Sequence, residues 1–341
     1  MHQKLKTYKL EEIQHIIDHR KPDVKMGEKI SYIHDTSNLE AQLLASKSKF
    51  VLMGVPEDIG IFGNYGKPGA RFAWDATLKS LLNIQSNSYT KTGKLLLLGY
   101  LDYTKELQDF DKSFHKNQEF IEKARSLTVE IDKEVTYYIR LIVASGKKPI
   151  IIGGGHNNCY GILKGCALAL NKPINAVNID AHTDLRPLEG RHSGNGFSYA
   201  YNEGFLGNYF AFGVHEDFLS KEMLKKMADQ KSRIQFNTYE ELEIKKSKGM
   251  AFQINKVKDF ITSSPFGIEV DCDSIINIPS SAMTPTGFDV NQVRNLVYTF
   301  GKQKNALYLH ICEAAPNPEN KRELEQSGKL ISYLILDYLR K

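Results

Sequence analysis

Short apolar runs separated by longer amphipathic stretches recur along the chain. The runs at 50–55, 95–99, 150–152, 174–179, 209–214, 234–236, 266–270 and 306–311 are too short for buried helices. Continuous apolar character over such lengths predicts strands buried on both faces. Between them, Phe120, Ala124, Leu127, Ile131, Val135 and Ile142 fall on one face of a long helix predicted within 114–146, with Gly146 and Pro149 ending it. Further helices are predicted up to Leu170, near Asp289, and over 330–339. In residues 1–48, Leu10, Ile13 and Ile17 keep helical spacing, which predicts a helical N-terminal extension ahead of one domain over 49–341. Strand and helix alternate through that domain, which predicts an α/β fold with a predominantly parallel sheet covered on both faces.

Composition narrows the function classes. The 341 residues are 41% hydrophobic and 25% charged, with a formal charge of +5, as expected of a globular chain. Lysine clusters such as Lys245-Lys246 are flanked by acids and read as solvated surface, so no nucleic-acid partner is expected. No apolar run reaches the ~18–20 residues of a membrane span, and the N-terminus lacks the hydrophobic core of a signal peptide. Cys159, Cys166, Cys272 and Cys312 show no CxxC spacing and sit in apolar surroundings. They read as buried free thiols of a cytoplasmic protein.

The chemistry gathers at strand ends. Run 174–179 leads into Asp180-Ala181-His182-Thr183-Asp184, run 150–152 into Gly153-Gly154-Gly155-His156-Asn157-Asn158, and run 266–270 into Asp271-Cys272-Asp273. In an extended chain, Asp180, His182 and Asp184 point the same way, and Cys272 points away from its acidic neighbours into packing. With the three strands close together, His156, Asp180, His182, Asp184, Asp271 and Asp273 meet beyond the carboxyl ends, where open α/β sheets place ligands. Their four carboxylates carry a formal −4, which matches two divalent cations; burying them bare is costly. Aspartates with two imidazoles suit Mn²⁺. Two ions ~3.5–4 Å apart share a water and lower its pKa from about 15.7 towards roughly 7, with Asp184 placed to orient the hydroxide. In the polar loop 185–196, Arg186, Arg191 and Asn195 are candidates for substrate binding, and His192 for protonating a leaving amine. The glycine-rich segment 60–70 suits a loop over a pocket.

Together the three motifs resemble those of the ureohydrolases (arginases, agmatinases and formimidoylglutamases) over roughly residues 50–340. The resemblance implies a three-layer α/β/α fold, two Mn²⁺ per subunit, hydrolysis of a guanidino or formimino C–N bond, and a homo-oligomer, trimer or hexamer. Glu313 in His310-Ile311-Cys312-Glu313-Ala314 is similar to the acid that grips the amidine end of the substrate. Asp58-Ile59-Gly60, Asn64-Tyr65-Gly66-Lys67-Pro68-Gly69-Ala70 and Asp184-Leu185-Arg186 look most like formimidoylglutamases, although Lys67 stands for a usual Arg. Ser193-Gly194-Asn195 instead resembles the arginase loop that holds an amino acid's carboxylate. On that alignment the family's proton-shuttling histidine falls at Phe197, which displaces His192. Ile276 and Asn277 replace the Asp and Pro that usually follow the third motif. The expectation is hydrolysis of formimidoylglutamate to glutamate and formamide. An arginase or agmatinase reaction releasing urea, a catalytically silent ligand-binding relative, and a dinuclear phosphatase are the alternatives.

Overall fold

The computed structural model describes residues 4–90, 92–112 and 117–340. Its strands are β1 (Leu5–Lys6), β2 (Ser31–Tyr32), β3 (Phe50–Gly54), β4 (Leu95–Leu101), β5 (Lys148–Ile152), β6 (Ile174–Ile179), β7 (Leu206–Val214), β8 (Ile234–Thr238), β9 (Phe266–Asp271) and β10 (Ala306–Cys312). They form one sheet in the order β1-β4-β3-β5-β10-β9-β6-β7-β8, with β2 also on β4. Every strand pairing is parallel except that of β1 with β4.

The two-residue period of each strand divides its side chains between two cores. Phe50, Leu52, Ile150, Ile152, Phe266, Ile268 and Val270 enter one core with helices Ala73–Leu82, Val290–Gly301 and Lys321–Leu339. Val51, Met53, Ile151, Tyr209 and Ala211 enter the other with helices Gln118–Ala144 and Asn158–Leu170. The result is the three-layer α/β/α arrangement. The long predicted helix is present as Gln118–Ala144; its expected start at Phe114 lies outside the described residues. Among the described residues no helix is long and apolar enough to cross a membrane.

The expectation for residues 1–48 needs correcting. Besides the helices Leu10–Ile16 and Leu39–Ala45, the extension supplies β1 and β2, which pair with β4 at Leu101–Tyr100 and Leu96–Leu97. The free edge of β4 offers a row of unpaired backbone groups, and these two short strands cover it. Ile13, Ile17, Met26 and Ile30 join one core, and Leu5, Ile33, Leu39 and Leu43 the other.

Topology explains the site. β5 and β6 are successive strands along the chain but stand three places apart in the sheet, with β10 and β9 between them. Four neighbouring parallel strands, β5-β10-β9-β6, therefore end side by side, and the chain segments leaving them carry His156, Glu313, Asp271 and Asp180.

Candidate metal centre

After β5 the chain reverses through Gly153 and Gly154, both at positive φ (90° and 72°). A side chain at Gly154 would strike Val55 O, Asn158 Nδ2 and the Glu57 carboxylate at 2.4–2.7 Å, so only glycine fits. The reversal leaves Gly155 N–H donating to Glu57 Oε1 (3.1 Å) and His156 N–H donating to Glu313 Oε1 (2.9 Å). Glu57 also accepts from Ile59 N, Gly60 N, Asn157 Nδ2 and Asn158 Nδ2. One buried carboxylate thus ties the loop after β3 to the loop after β5.

The two aspartate motifs share one local device. Asp180 Oδ1 accepts from His182 N–H (2.7 Å), and Asp271 Oδ1 accepts from Asp273 N–H (2.9 Å). Each turn fixes one carboxylate oxygen on the backbone and leaves the other facing His156. Asn178 Nδ2 donates to that second oxygen of Asp180 (2.8 Å). The extended alternation expected for 180–184 does not occur: β6 stops at Ile179, and Asp184 adopts left-handed backbone (φ 49°). Turning, not alternation, brings Asp184 back beside Asp180.

His156 Nδ1 lies 2.9 Å from Asp184 Oδ2, 3.1 Å from Asp271 Oδ2 and 3.3 Å from Asp180 Oδ2. His182 Nδ1 lies 3.1 Å from Asp273 Oδ2 and 3.5 Å from Asp180 Oδ1. One ring nitrogen carries at most one proton and cannot serve three carboxylates. An octahedral sphere with bonds of about 2.1 Å, by contrast, sets adjacent donors about 3.0 Å apart. The donor atoms form two groups, His156/Asp180/Asp184/Asp271 and Asp180/His182/Asp273, which share Asp180. Asp273 Oδ1 is buried with no hydrogen-bond partner among the described residues. These residues fit a pair of divalent cations. Without them, charge balance falls on the imidazoles: burial opposes protonation of His182, but Asp273 and Asp180 outweigh it and push its pKa up to about 12. Burial, then Asp273 and Asp180, push the Asp271 carboxyl well up.

A cleft of about 420 Å³ opens over this cluster, walled by Asn64, Arg186, Ser193, Phe218, Ser281 and Glu313. The Ser281 hydroxyl donates to Glu313 Oε2. Behind the cluster lies an acid absent from the sequence reading. Glu269 Oε1 accepts from the Tyr308 hydroxyl (2.6 Å), while Oε2 is 2.6 Å from His310 Nδ1 and 3.5 Å from His156 Nε2. At 3.5 Å Glu269 makes no hydrogen bond to His156 Nε2, which is buried without a partner among the described residues; its negative charge faces the far side of that imidazole. The only sequence signal for it is an acid in the middle of an apolar strand.

Three expected site residues lie elsewhere. Arg191 is buried, and its guanidinium donates to both oxygens of Asp132, to Asn157 O, His192 O and Asn195 Oδ1. That uses its donors on protein, and the plane stacks on Tyr160 and Tyr199 at 4.8 and 4.9 Å. Asn195 is buried too: its Nδ2 donates to Pro187 O and Gly190 O, and its Oδ1 accepts from His192 N. Both residues brace the loop and offer nothing to a substrate. His192 does not line the cleft; its Nδ1 accepts from Gly194 N–H (3.1 Å), and Nε2 meets Glu189 Oε1 (3.2 Å). Phe197 packs edge-on against His156, ring centres 5.2 Å apart.

Burial, with Arg125 and Arg186 nearby, lowers the His192 pKa to about 4 despite Glu189. Its ring should therefore stay neutral at pH 7 and titrate near pH 4 in an NMR titration of the histidine ring protons. As pH falls below the unfolded value of about 6.5, the unfolded chain takes up a proton that the folded one refuses. His192 then contributes stability above that pH which is lost towards pH 4. A mid-point near 6.5 would contradict this placement.

Residues 48–339 match the model of the arginase family. The chain is 24% identical over 276 residues to a formimidoylglutamase of Streptococcus pyogenes, covering 78% of this chain and 77% of that one. It is 28% identical over 181 residues to a formimidoylglutamase of Hahella chejuensis, covering 50% and 48%. Among solved structures, the formimidoylglutamase of Bacillus subtilis superposes with a TM-score of 0.73 at 18% identity, covering 95% of this chain and 93% of that one. The Trypanosoma cruzi formiminoglutamase with Mn²⁺₂ does so at 0.70 and 18%, covering 93% and 98%.

Proposed function

Because the chain belongs to the arginase family, we propose that it is a manganese-dependent hydrolase that converts formimidoylglutamate to glutamate and formamide. The observation that carries this is the double donor group sharing Asp180 beneath a cleft lined by both Glu313 and Arg186. His156, Asp180, Asp184 and Asp271 would hold one Mn²⁺, and Asp180, His182 and Asp273 the other. When bound, such a pair supplies Lewis acidity and an acidified water at neutral pH. Asp184 accepts a hydrogen bond from the attacking water and aims it. Glu313 accepts from the N–H groups of the cationic amidine, which holds the formimino carbon over the cluster. Water adds to that carbon, its bond to the glutamate nitrogen breaks, and the proton ends on that nitrogen.

Specificity is assigned to the cleft wall. Arg186 donates to Asn64 Oδ1 (3.0 Å) and Glu189 Oε1 (3.1 Å), which leaves the rest of its five-donor fork open to a carboxylate. Arg186→Ala should raise KM for formimidoylglutamate about 10–100-fold, the scale of a lost charge-assisted pair, with kcat changed little. Steady-state kinetics checks this, and an unchanged KM removes Arg186 from the site. The Ser193 hydroxyl, 3.2 Å from Asn64 Nδ2 on the same wall, favours as second reading a guanidino substrate held as arginases hold theirs. One assay separates the two: Mn-reconstituted protein with formimidoylglutamate, arginine, agmatine and guanidinobutyrate, scored for formamide against urea. Turnover of arginine alone would overturn the first reading.

The four cysteines are free and buried, which supports a reducing compartment, the cytoplasm. A homo-oligomer, trimer or hexamer, follows from the resemblance and is tested by light scattering on the purified chain.

A further inference from the structure

The two imidazoles of the centre are held differently. His156 has the Glu269 carboxylate facing its far nitrogen at 3.5 Å, an electrostatic contact rather than a hydrogen bond, beside a buried network with Tyr308 and His310. His182 has no such partner: among the described residues nothing hydrogen-bonds its Nε2, and its side chain is about one third exposed. What lies against it is Phe218. The two rings are nearly parallel, 9° apart in plane with centres at 4.6 Å. Phe218 is itself 46% exposed.

Phe218 is not loosely placed. It closes the short helical turn Glu216–Phe218 that leaves β7. Just before this turn, His215 N–H donates to Ala181 O (2.9 Å), the residue between Asp180 and His182. Glu216 N–H donates to Glu240 Oε2 (3.1 Å), and Glu216 Oε1 accepts from Thr238 Oγ1 (3.0 Å) and Lys245 Nζ (2.6 Å). The Phe218 ring also lies parallel to His215 (7°, 5.5 Å), which stacks on Tyr239 at 5.0 Å. A row of rings, anchored through backbone to the ligand loop and through the Glu216 carboxylate to Thr238 of β8, thus ends on His182.

We propose that Phe218 is the positioning residue of the second metal site, holding the His182 ring by stacking where a hydrogen bond to its far nitrogen would ordinarily do so. The proposal rests on the dinuclear reading given above. Ligating imidazoles normally donate their other N–H to a fixed acceptor, and losing that support costs about 10–100-fold in metal affinity. Stacking restricts the ring's rotation and shields one face from water. The same ring walls the cleft, so metal retention and pocket shape are joined in one side chain.

The test is Mn²⁺ titration of the metal-free full chain by calorimetry, with metal analysis after dialysis. Electron paramagnetic resonance would distinguish a spin-coupled pair from a single ion. Wild type, Phe218→Leu, Phe218→Ala and Phe218→Tyr are compared. The expected result is two ions for wild type and Phe218→Tyr. In Phe218→Leu and Phe218→Ala the first ion is unchanged and the second weakened about 10–100-fold, with an isolated-ion spectrum at limiting metal. Because Phe218 is half-exposed, all four metal-free proteins should melt alike. Two ions bound with wild-type affinity in the Leu and Ala variants would overturn the proposal alone, as would a Tyr variant that behaves like Leu. A wild-type chain that binds fewer than two ions would overturn the dinuclear reading and the proposal with it.

Discussion

Asp180→Asn should empty both metal sites and lower turnover by more than about 10³-fold, since the acidified water is lost with the ions. Asp180 alone belongs to both donor groups. Its Oδ1 is fixed by His182 N–H and its Oδ2 by Asn178 Nδ2, with His156 Nδ1 3.3 Å away. Asparagine keeps the shape and can still accept from His182 N–H, so the loop survives; only the charge and one acceptor oxygen go. The metal-free protein should melt at a lower temperature. Against burial, hydrogen bonds and charge from His156 and His182 hold the Asp180 carboxyl well below the usual carboxylate range, and that pairing is lost with the charge. Relief at Asp184, pushed up by burial and then Asp180, and at Asp271, pushed up by burial, Asp273 and then Asp180, offsets only part of the loss. Saturating Mn²⁺ at about 100 times its Kd should stabilise wild type by about 2.7 kcal/mol for each site filled and leave the variant unmoved. Metal analysis with thermal melts, plus and minus Mn²⁺, reads both halves. A variant that retains two ions and most of its activity would remove Asp180 from the centre.

That the six side chains now gathered in two donor groups could be named as candidate ligands from the sequence follows from where they sit. Each motif stands where a short apolar run stops, and such runs fix both strand and direction. Strand alternation does not account for their convergence. Alternation would send Asp180, His182 and Asp184 to one side together, but the left-handed Asp184 (φ 49°) folds back, and His182 turns towards Asp273 instead. Loop 185–196 was harder still. Polar composition suggested that Arg191, His192 and Asn195 face a substrate, yet Arg191 is claimed by Asp132, 59 residues away on the long helix, and no local pattern encodes that. β1 and β2 are two residues each, a single strand period with no repeat to detect, so periodicity could only report the helices around them. Phe218 lies in a charged turn and has no periodic neighbours. Its role depends on a contact that only the packed sheet creates.

Glu313→Gln should lower kcat/KM for a cationic amidine by about 10²–10³-fold, the scale of a lost preorganised charge, while leaving both Mn²⁺ in place. Glu313 leaves β10 in a left-handed conformation (φ 60°), with its N–H on Gly154 O (3.1 Å) and its carboxylate on His156 N–H and Ser281. A glutamine carbonyl can still accept from His156 N–H, so the first metal loop keeps its support. The pH dependence carries the sharper sign. Burial pushes the Glu313 carboxyl up to about 8 against the pull of Ser281 and His156 N–H, so in the metal-free cleft the neutral acid predominates at pH 7. Only the ionised form pairs with an amidinium cation, so kcat/KM should climb as pH rises towards the Glu313 pKa and level off above it. Bound Mn²⁺ moves that limb below 8, because nearby positive charge favours the carboxylate. Glutamine mimics the protonated acid at every pH, so the variant should sit near the low-pH level of wild type and lose this limb altogether. If its profile keeps the limb, the ionisation belongs to another group; if its kcat/KM equals that of wild type, Glu313 does not touch the substrate.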